Sequence, residues 1–136
     1  VRAILTREQR EGHCIIFIDH IGYVTTGKRQ SDTERIGEAV REIQKMTKDL
    51  NVTVFLLAHI NRAGTDAPTV NFLKDSGELE QSAHVVMLLH NPNDDLDKTT
   101  SDIQLIVDKN RSGKRGKIDL EYQKTTQIFR EKRYAR

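Results

Sequence analysis

The sequence is short of several things, and each shortage excludes something. Cys14 is the single cysteine, so no disulfide can close within the chain, which points to a reducing compartment. Cys14 stands at the start of an apolar run and is expected to be a small core residue. No stretch is apolar enough to span a membrane, and no signal peptide can be read. Aromatic residues make up 5% of the chain. No aromatic-rich platform for stacking bases is visible, so any contact with nucleic acid would rest on backbone electrostatics. The net charge of +2 is too small to argue nucleic-acid binding by itself. Repeats and low-complexity segments are absent. A phosphate-binding loop, Gly-x-x-x-x-Gly-Lys-Ser/Thr, is absent too, because no Gly-Lys pair is followed by Ser or Thr.

The 136 residues suffice for one domain with a core. With 36% hydrophobic and 31% charged residues, that core is lean and the surface strongly charged. The charge is clustered. Lys109, Arg111, Lys114, Arg115 and Lys117 crowd one short stretch, and Arg130, Lys132, Arg133 and Arg136 crowd the end. Val1 lies inside a charged, helix-like stretch, so the chain reads as a fragment of something longer.

The most informative stretch is Ile15-Ile16-Phe17-Ile18-Asp19-His20. A continuous apolar run of this length reads as a strand buried on both faces. An Asp at the carboxyl end of such a strand lands in the crevice where open α/β sheets bind ligands. In nucleotide-binding folds that carboxylate holds magnesium; an Asp capping the next turn is the other reading of this segment alone.

The flanks complete the pattern. Val1 to Glu11 reads as a helix ending at Gly12. Ser31-Asp32-Thr33-Glu34 reads as a capping box, opening a helix whose apolar face is Ile36, Val40, Ile43, Thr47 and Leu50 and which ends near Asn51. Val52 to Ala58 is a second strand, followed by His59. A polar loop covers 61–71, a short helix begins near Ser76, and Val85 to Leu89 is a third strand. After an acidic loop over 91–100, Ile103, Leu105 and Val107 alternate with polar residues, as do Ile118, Leu120 and Tyr122; Thr125-Thr126 then turns into Ile128 to Glu131. Strands alternating with helices imply a parallel sheet flanked by helices, and the last part reads as an antiparallel meander.

Four motifs stand in a fixed order: Ile16-Phe17-Ile18-Asp19-His20-Ile21; Leu56-Leu57-Ala58-His59-Ile60-Asn61-Arg62; Leu73-Lys74-Asp75-Ser76-Gly77-Glu78-Leu79-Glu80-Gln81 with Ala83-His84-Val85-Val86-Met87; and Val107-Asp108-Lys109-Asn110-Arg111-Ser112-Gly113 with Gly116. Together they resemble the C-terminal half of a DnaB-type replicative helicase ATPase domain, from about Cys14 to the end. Asp19-His20 and His59 lean toward the phage helicase-primase and mitochondrial-helicase branch. The resemblance implies an α/β, RecA-like parallel sheet flanked by helices with a C-terminal antiparallel β-meander. It makes residues 1–136 a partial domain that lacks both the phosphate-binding loop and the strand carrying the family's catalytic Glu.

The resemblance also implies roles. Asp19 would hold Mg2+, directly or through water, and His20 reads as a packing residue, or as one that supports a ligand from behind, rather than as a ligand itself. His59 would be the polar sensor touching the γ-phosphate of ATP, beside Asp19 if the sheet order follows the family. Arg111 would be an arginine finger reaching a neighbouring subunit's ATP, with Lys109 assisting. Asn61, Arg62, Lys74, Ser76 and Gly77 would face single-stranded DNA; Lys74 replaces the Arg usual there, keeping the charge but losing the bidentate fork. The partners implied are a homo-oligomeric ring, a hexamer in this family, and a primase as a candidate; the setting is the cytoplasm, with a phage protein in host cytoplasm or the mitochondrial matrix as alternatives. Other readings of the residues are a polar strand terminus for His59, a solvated basic hairpin for Lys109 and Arg111, and, for the whole, a non-enzymatic nucleic-acid-binding module or another RecA-like ATPase of recombinase or clock type.

Because the phosphate loop and the catalytic Glu are missing, the chain by itself is expected not to hydrolyse ATP. A phosphate-release assay on the purified chain checks this; turnover that disappears in Asp19→Asn would contradict it.

Overall fold

The computed structural model describes residues 2–23, 31–59, 68–69, 77–92 and 97–132. It divides into two compact units, Val1–Asn61 with Leu73–Ala83, and Arg62–Phe72 with His84–Arg136.

In the first unit the order is α1 (Arg2–Arg10), β1 (Ile15–Ile18), a 3-10 turn (Ile21–Tyr23), α2 (Asp32–Leu50), β2 (Thr53–Leu56) and α3 (Gly77–Ser82). Helix α1 stops because Gly12 takes φ +90, a conformation that costs a residue with a Cβ. The amides of Gly12 and His13 then donate to the carbonyls of Gln9 at 3.0 Å and Glu8 at 2.9 Å, which satisfies the helix's last acceptors. Helix α2 opens with the expected capping box. The Glu34 amide donates to the Ser31 hydroxyl at 3.3 Å, and the Ser31 amide donates to the Glu34 carboxylate at 3.1 Å. It closes at Asn51, in the left-handed region with φ 51.

Strands β1 and β2 pair in parallel, Ile15 with Thr53 through Ile18 with Leu56. Leu5, Ile21, Ala39, Val40, Ile43 and Met46 form the core, and Ile16, Ile18, Val54, Leu56 and Ala58 pack against it. Among the described residues the helices cover one face. Ile15 is 56% and Phe17 67% exposed, so the expectation of a strand buried on both faces is corrected. Cys14 is exposed as well, not a core residue. An apolar run shows that both faces of a strand are apolar, not that both are covered within the same chain. On the open face Phe17 stacks on its cross-strand partner Phe55, rings 4.8 Å apart.

The second unit is a four-stranded antiparallel sheet in the order β3 (Val85–His90), β4 (Thr100–Asn110), β5 (Gly116–Gln123), β6 (Ile128–Glu131). The meander is as expected, with Gln127 in the left-handed region at its last turn. The third strand differs from expectation. It joins β4 in antiparallel pairing, and among the described residues parallel pairing is confined to β1 and β2. Hydrophobic periodicity marks a strand but carries no information on its partner. The alternation of Ile103, Leu105 and Val107 likewise marks the half-buried face; the buried hydrophobic residues of these strands are Val86, Leu88 and Ile106, with Ser101 buried beside them on β4. Leu105-Ile106-Val107 is apolar throughout, so alternation alone does not choose between its faces.

Ser31→Ala removes the N-cap acceptor of α2 and is expected to lower stability by about 1 kcal/mol, read by denaturant unfolding. The Ser31 hydroxyl, then the Ser31 amide, hold the Glu34 carboxyl below its ordinary 4.5. A depressed carboxylate stabilises fully above its unfolded value and loses that contribution as pH falls through the folded one. The Ser31→Ala difference should therefore be constant above pH 4.5 and shrink below it; a difference that grows on acidification would contradict this.

Candidate functional site

The pairing of β1 with β2 carries past the strands. The Leu57 amide donates to the Ile18 carbonyl at 2.9 Å, and the Ile21 amide donates back to the Leu57 carbonyl at 3.0 Å. Ile21 is buried, 3% exposed, which plugs the 3-10 turn into the core. The short segment 19–20 is thus pinned against the end of β2. This puts Asp19 and His59 on neighbouring parallel strand ends, as the resemblance implied. Asp19 is exposed, and the Asp19–His20 peptide bond is cis.

His20 sits between its neighbours. Its ring lies 4.3 Å from that of His59 at 71° and 4.4 Å from that of Tyr23. The Gly22 amide donates to His20 Nδ1 at 3.0 Å. Gly22 and Gly27-Lys28 have the glycine spacing of a phosphate-binding loop. Arg29 follows where a magnesium-binding hydroxyl is needed, however, and the Gly22 amide is already engaged by His20.

A magnesium ion accompanying a nucleotide fits Asp19. Mg2+ dehydrates reluctantly and is usually held by one or two carboxylates together with phosphates and waters, and Asp19 offers such an oxygen at an open strand end. Among the described residues the side chains close enough together to share a cation are Glu8, Glu11 and His13, with ligand atoms within 4.8 Å of one another. They stand at the opposite, amino end of β1. Glu8 is already engaged by the Arg7 guanidinium and by His13 Nδ1 at 2.8 Å, which hold its carboxyl below the ordinary value. No role is assigned to them.

Lys109 and Arg111 lie in the second unit, at the end of β4 and just beyond it. The Arg111 amide donates to the His84 carbonyl at 3.0 Å, and the Arg111 residue is exposed. The turn they enter is held by a residue that sequence reasoning missed. Asn110 Nδ2 donates to the Lys114 carbonyl at 3.2 Å, and Asn110 Oδ1 accepts from the Ser112 amide at 3.2 Å. A Cβ at Gly113 would come within 2.7 Å of Asn110 Nδ2, so glycine is required for this clamp to close. An Asn between two basic residues, three before a Gly, was the available signal.

Of the residues expected to face DNA, Asn61, Arg62, Lys74 and Ser76 lie outside the described residues. Gly77 opens α3 and is exposed. Glu78 and Glu80 occupy the first turn of that helix, and Glu78 meets Arg41 of α2 at 2.9 Å.

With this geometry in view, the comparisons with known proteins are specific. The family described as DnaB-like helicase C terminal domain matches residues 1–131. The replicative DNA helicase DnaB of Leifsonia xyli subsp. xyli is 31% identical over 123 residues, 85% of this chain and 27% of that protein. The replicative DNA helicase DnaB of Mycobacterium leprae is 34% identical over 106 residues, 73% of this chain and 18% of that protein. A solved DnaB-like replicative helicase, described for its interactions with primase, superposes with a TM-score of 0.74 at 25% identity over 88% of this chain and 31% of its own. A second solved structure, described as an ATPase domain, shares the fold with a TM-score of 0.80 at 23% identity, over 93% of this chain and 49% of its own. The fold is RecA-like, and the chain belongs to the DnaB-like helicase C-terminal domain family, the ATPase domain of replicative helicases. It spans about a quarter of the length of the curated relatives it matches, 27% in the first case.

Asn110→Ala should release the turn beside Arg111. Hydrogen exchange of the Ser112 amide is expected to accelerate about tenfold, while global stability changes by about 1 kcal/mol or less because the bonds are exposed. Unchanged exchange at Ser112 would show that the clamp does not hold the turn.

Proposed function

We propose that this chain is part of a ring-forming replicative DNA helicase that couples ATP hydrolysis to translocation on single-stranded DNA and to unwinding. The observation that carries the proposal is the placement of Asp19 and His59 on adjacent parallel strand ends in a chain of this family. That is where an open α/β sheet offers its ligand crevice. Family membership favours this reading over a non-enzymatic binding module or a recombinase-type ATPase.

In this reading Asp19 would hold Mg2+, and the ion would supply neutralisation of the charge on the nucleotide's phosphates. His59 donates a hydrogen bond to a γ-phosphate oxygen and so responds to its loss. These 136 residues contain no Gly-x-x-x-x-Gly-Lys-Ser/Thr cradle for the phosphates. Arg111 reaches the nucleotide of the next subunit, where its planar fork meets two phosphate oxygens at once, and Lys109 adds charge at the same phosphate. Such an arrangement needs head-to-tail subunits, a heterologous contact that closes into a ring; a hexamer is the assembly we propose. Asn61, Arg62, Lys74, Ser76 and Gly77 line the path of single-stranded DNA, with Lys74 meeting the backbone as a point charge. A primase is the candidate protein partner, and the cytoplasm the compartment. Among the described residues no helix is long and apolar enough to cross a membrane.

The test mixes two variants of the full-length protein that contains this chain. Arg111→Ala should leave ATP binding nearly intact and lower hydrolysis by about a thousandfold. Asp19→Asn, nearly isosteric, should abolish magnesium-dependent hydrolysis in a folded protein. Each defect spoils a different half of an interface, so rings shown to be mixed should regain part of the activity. No recovery in such rings would contradict a finger acting across subunits and leave Lys109 and Arg111 as surface charge.

A further inference from the structure

We propose that His20 is a positioning residue for His59, clamped by Gly22 so that its ring sets the direction in which His59 presents its own imidazole. The proposal rests on the reading of His59 as the γ-phosphate contact.

Three observations carry it. First, the Gly22 amide donates to His20 Nδ1 at 3.0 Å. A ring nitrogen that accepts carries no proton, so the neutral ring holds its proton on Nε2 and one orientation is selected. Second, the ring lies so close over Gly22 that a Cβ there would fall 2.6 Å from His20 Cε1 and 2.9 Å from Nδ1. Glycine is therefore a steric condition of this placement, and any other residue would push the ring away. Third, the ring so held touches Tyr23 on one contact and His59 on another, 4.4 and 4.3 Å between centroids. His59 is exposed at a strand end and would otherwise sample several rotamers. Ordering it in advance removes an entropy cost that would fall due when phosphate binds. The apolar character of the first strand says nothing of this; the contact exists because the turn after Asp19 is tied to Leu57 of the neighbouring chain segment.

The variants separate the clamp from the ring. His20→Asn keeps an acceptor for the Gly22 amide but removes the ring. In the full-length protein it should lower the kcat of DNA-stimulated ATP hydrolysis by about ten- to a hundredfold, with KM for ATP within about twofold. His20→Phe keeps a planar ring against Tyr23 and His59 but offers the Gly22 amide no acceptor, so its activity should fall between that of the unaltered protein and that of His20→Asn; full activity in His20→Phe would overturn the clamp. In a His59→Ala background the His20→Asn substitution should add less than about twofold, since it acts through a residue already gone. An effect of His20→Asn that persists undiminished in that background would overturn the positioning role and leave the sensor reading standing. Normal DNA stimulation in His59→Ala would overturn the sensor reading, and the proposal with it. Nitrogen-15 imidazole spectra of the unaltered protein give a readout independent of activity and of variant folding. They should show the His20 proton on Nε2; a proton on Nδ1 would overturn the clamp.

Discussion

The fold of the first unit depends on one parallel contact, the pairing of β1 with β2 and its continuation beyond Ile18. Parallel neighbours need a crossover connection between them, and here α2 supplies it. The residues that make α2 amphipathic are those that close the core over the two strands. Because the Leu57 amide bonds to Ile18 and the Ile21 amide bonds to Leu57, the chain turns at Asp19 and His20 without leaving the neighbouring strand. His20 and His59 meet for that reason, although thirty-nine positions separate them. The juxtaposition at this end of the sheet is a consequence of the pairing rather than an addition to it.

Magnitudes indicate what holds the arrangement. Leu5 and Met46 are almost completely buried, and truncating either to Ala would cost about 2–5 kcal/mol. The Arg41–Glu78 ion pair joining α2 to α3 is largely exposed, and such pairs contribute about 1 kcal/mol or less. The charged residues, 31% of the chain, therefore decide little about the fold of this unit; a few apolar side chains do. The open face of β1 and β2, with Phe17 stacked on Phe55, is surface of the kind found in sheets covered on both sides.

Local signals were legible in the sequence. The Gly12 stop, the Ser31–Glu34 capping box, the helix end near Asn51 and the meander each arise from bonds spanning a few residues, so residue type and spacing suffice to find them. Non-local features were not. Whether Phe17 and Cys14 are covered depends on what packs over them. The partner of β3 depends on which backbone lies alongside. The His20–His59 contact depends on a strand register and on the absence of a Cβ at Gly22. The Asn110 clamp is local but easy to miss, because its basic neighbours Lys109 and Arg111 draw the attention that charge draws. The ordered motifs located the candidate residues, and the pairing accounts for the juxtaposition of Asp19 and His59.

The central claim is that the carboxyl ends of β1 and β2 face a metal-bound nucleotide. Paramagnetic broadening tests it most directly. With Mn2+ and a non-hydrolysable ATP analogue bound to the full-length protein, the imidazole resonances of His20 and His59 should broaden strongly. Those of His13, at the amino end of β1 and in a cluster that can itself collect Mn2+, should broaden no further than with Mn2+ alone. Broadening of His13 that appears only with the nucleotide, with His20 and His59 unaffected, would place the nucleotide at the other end of the sheet and contradict the account.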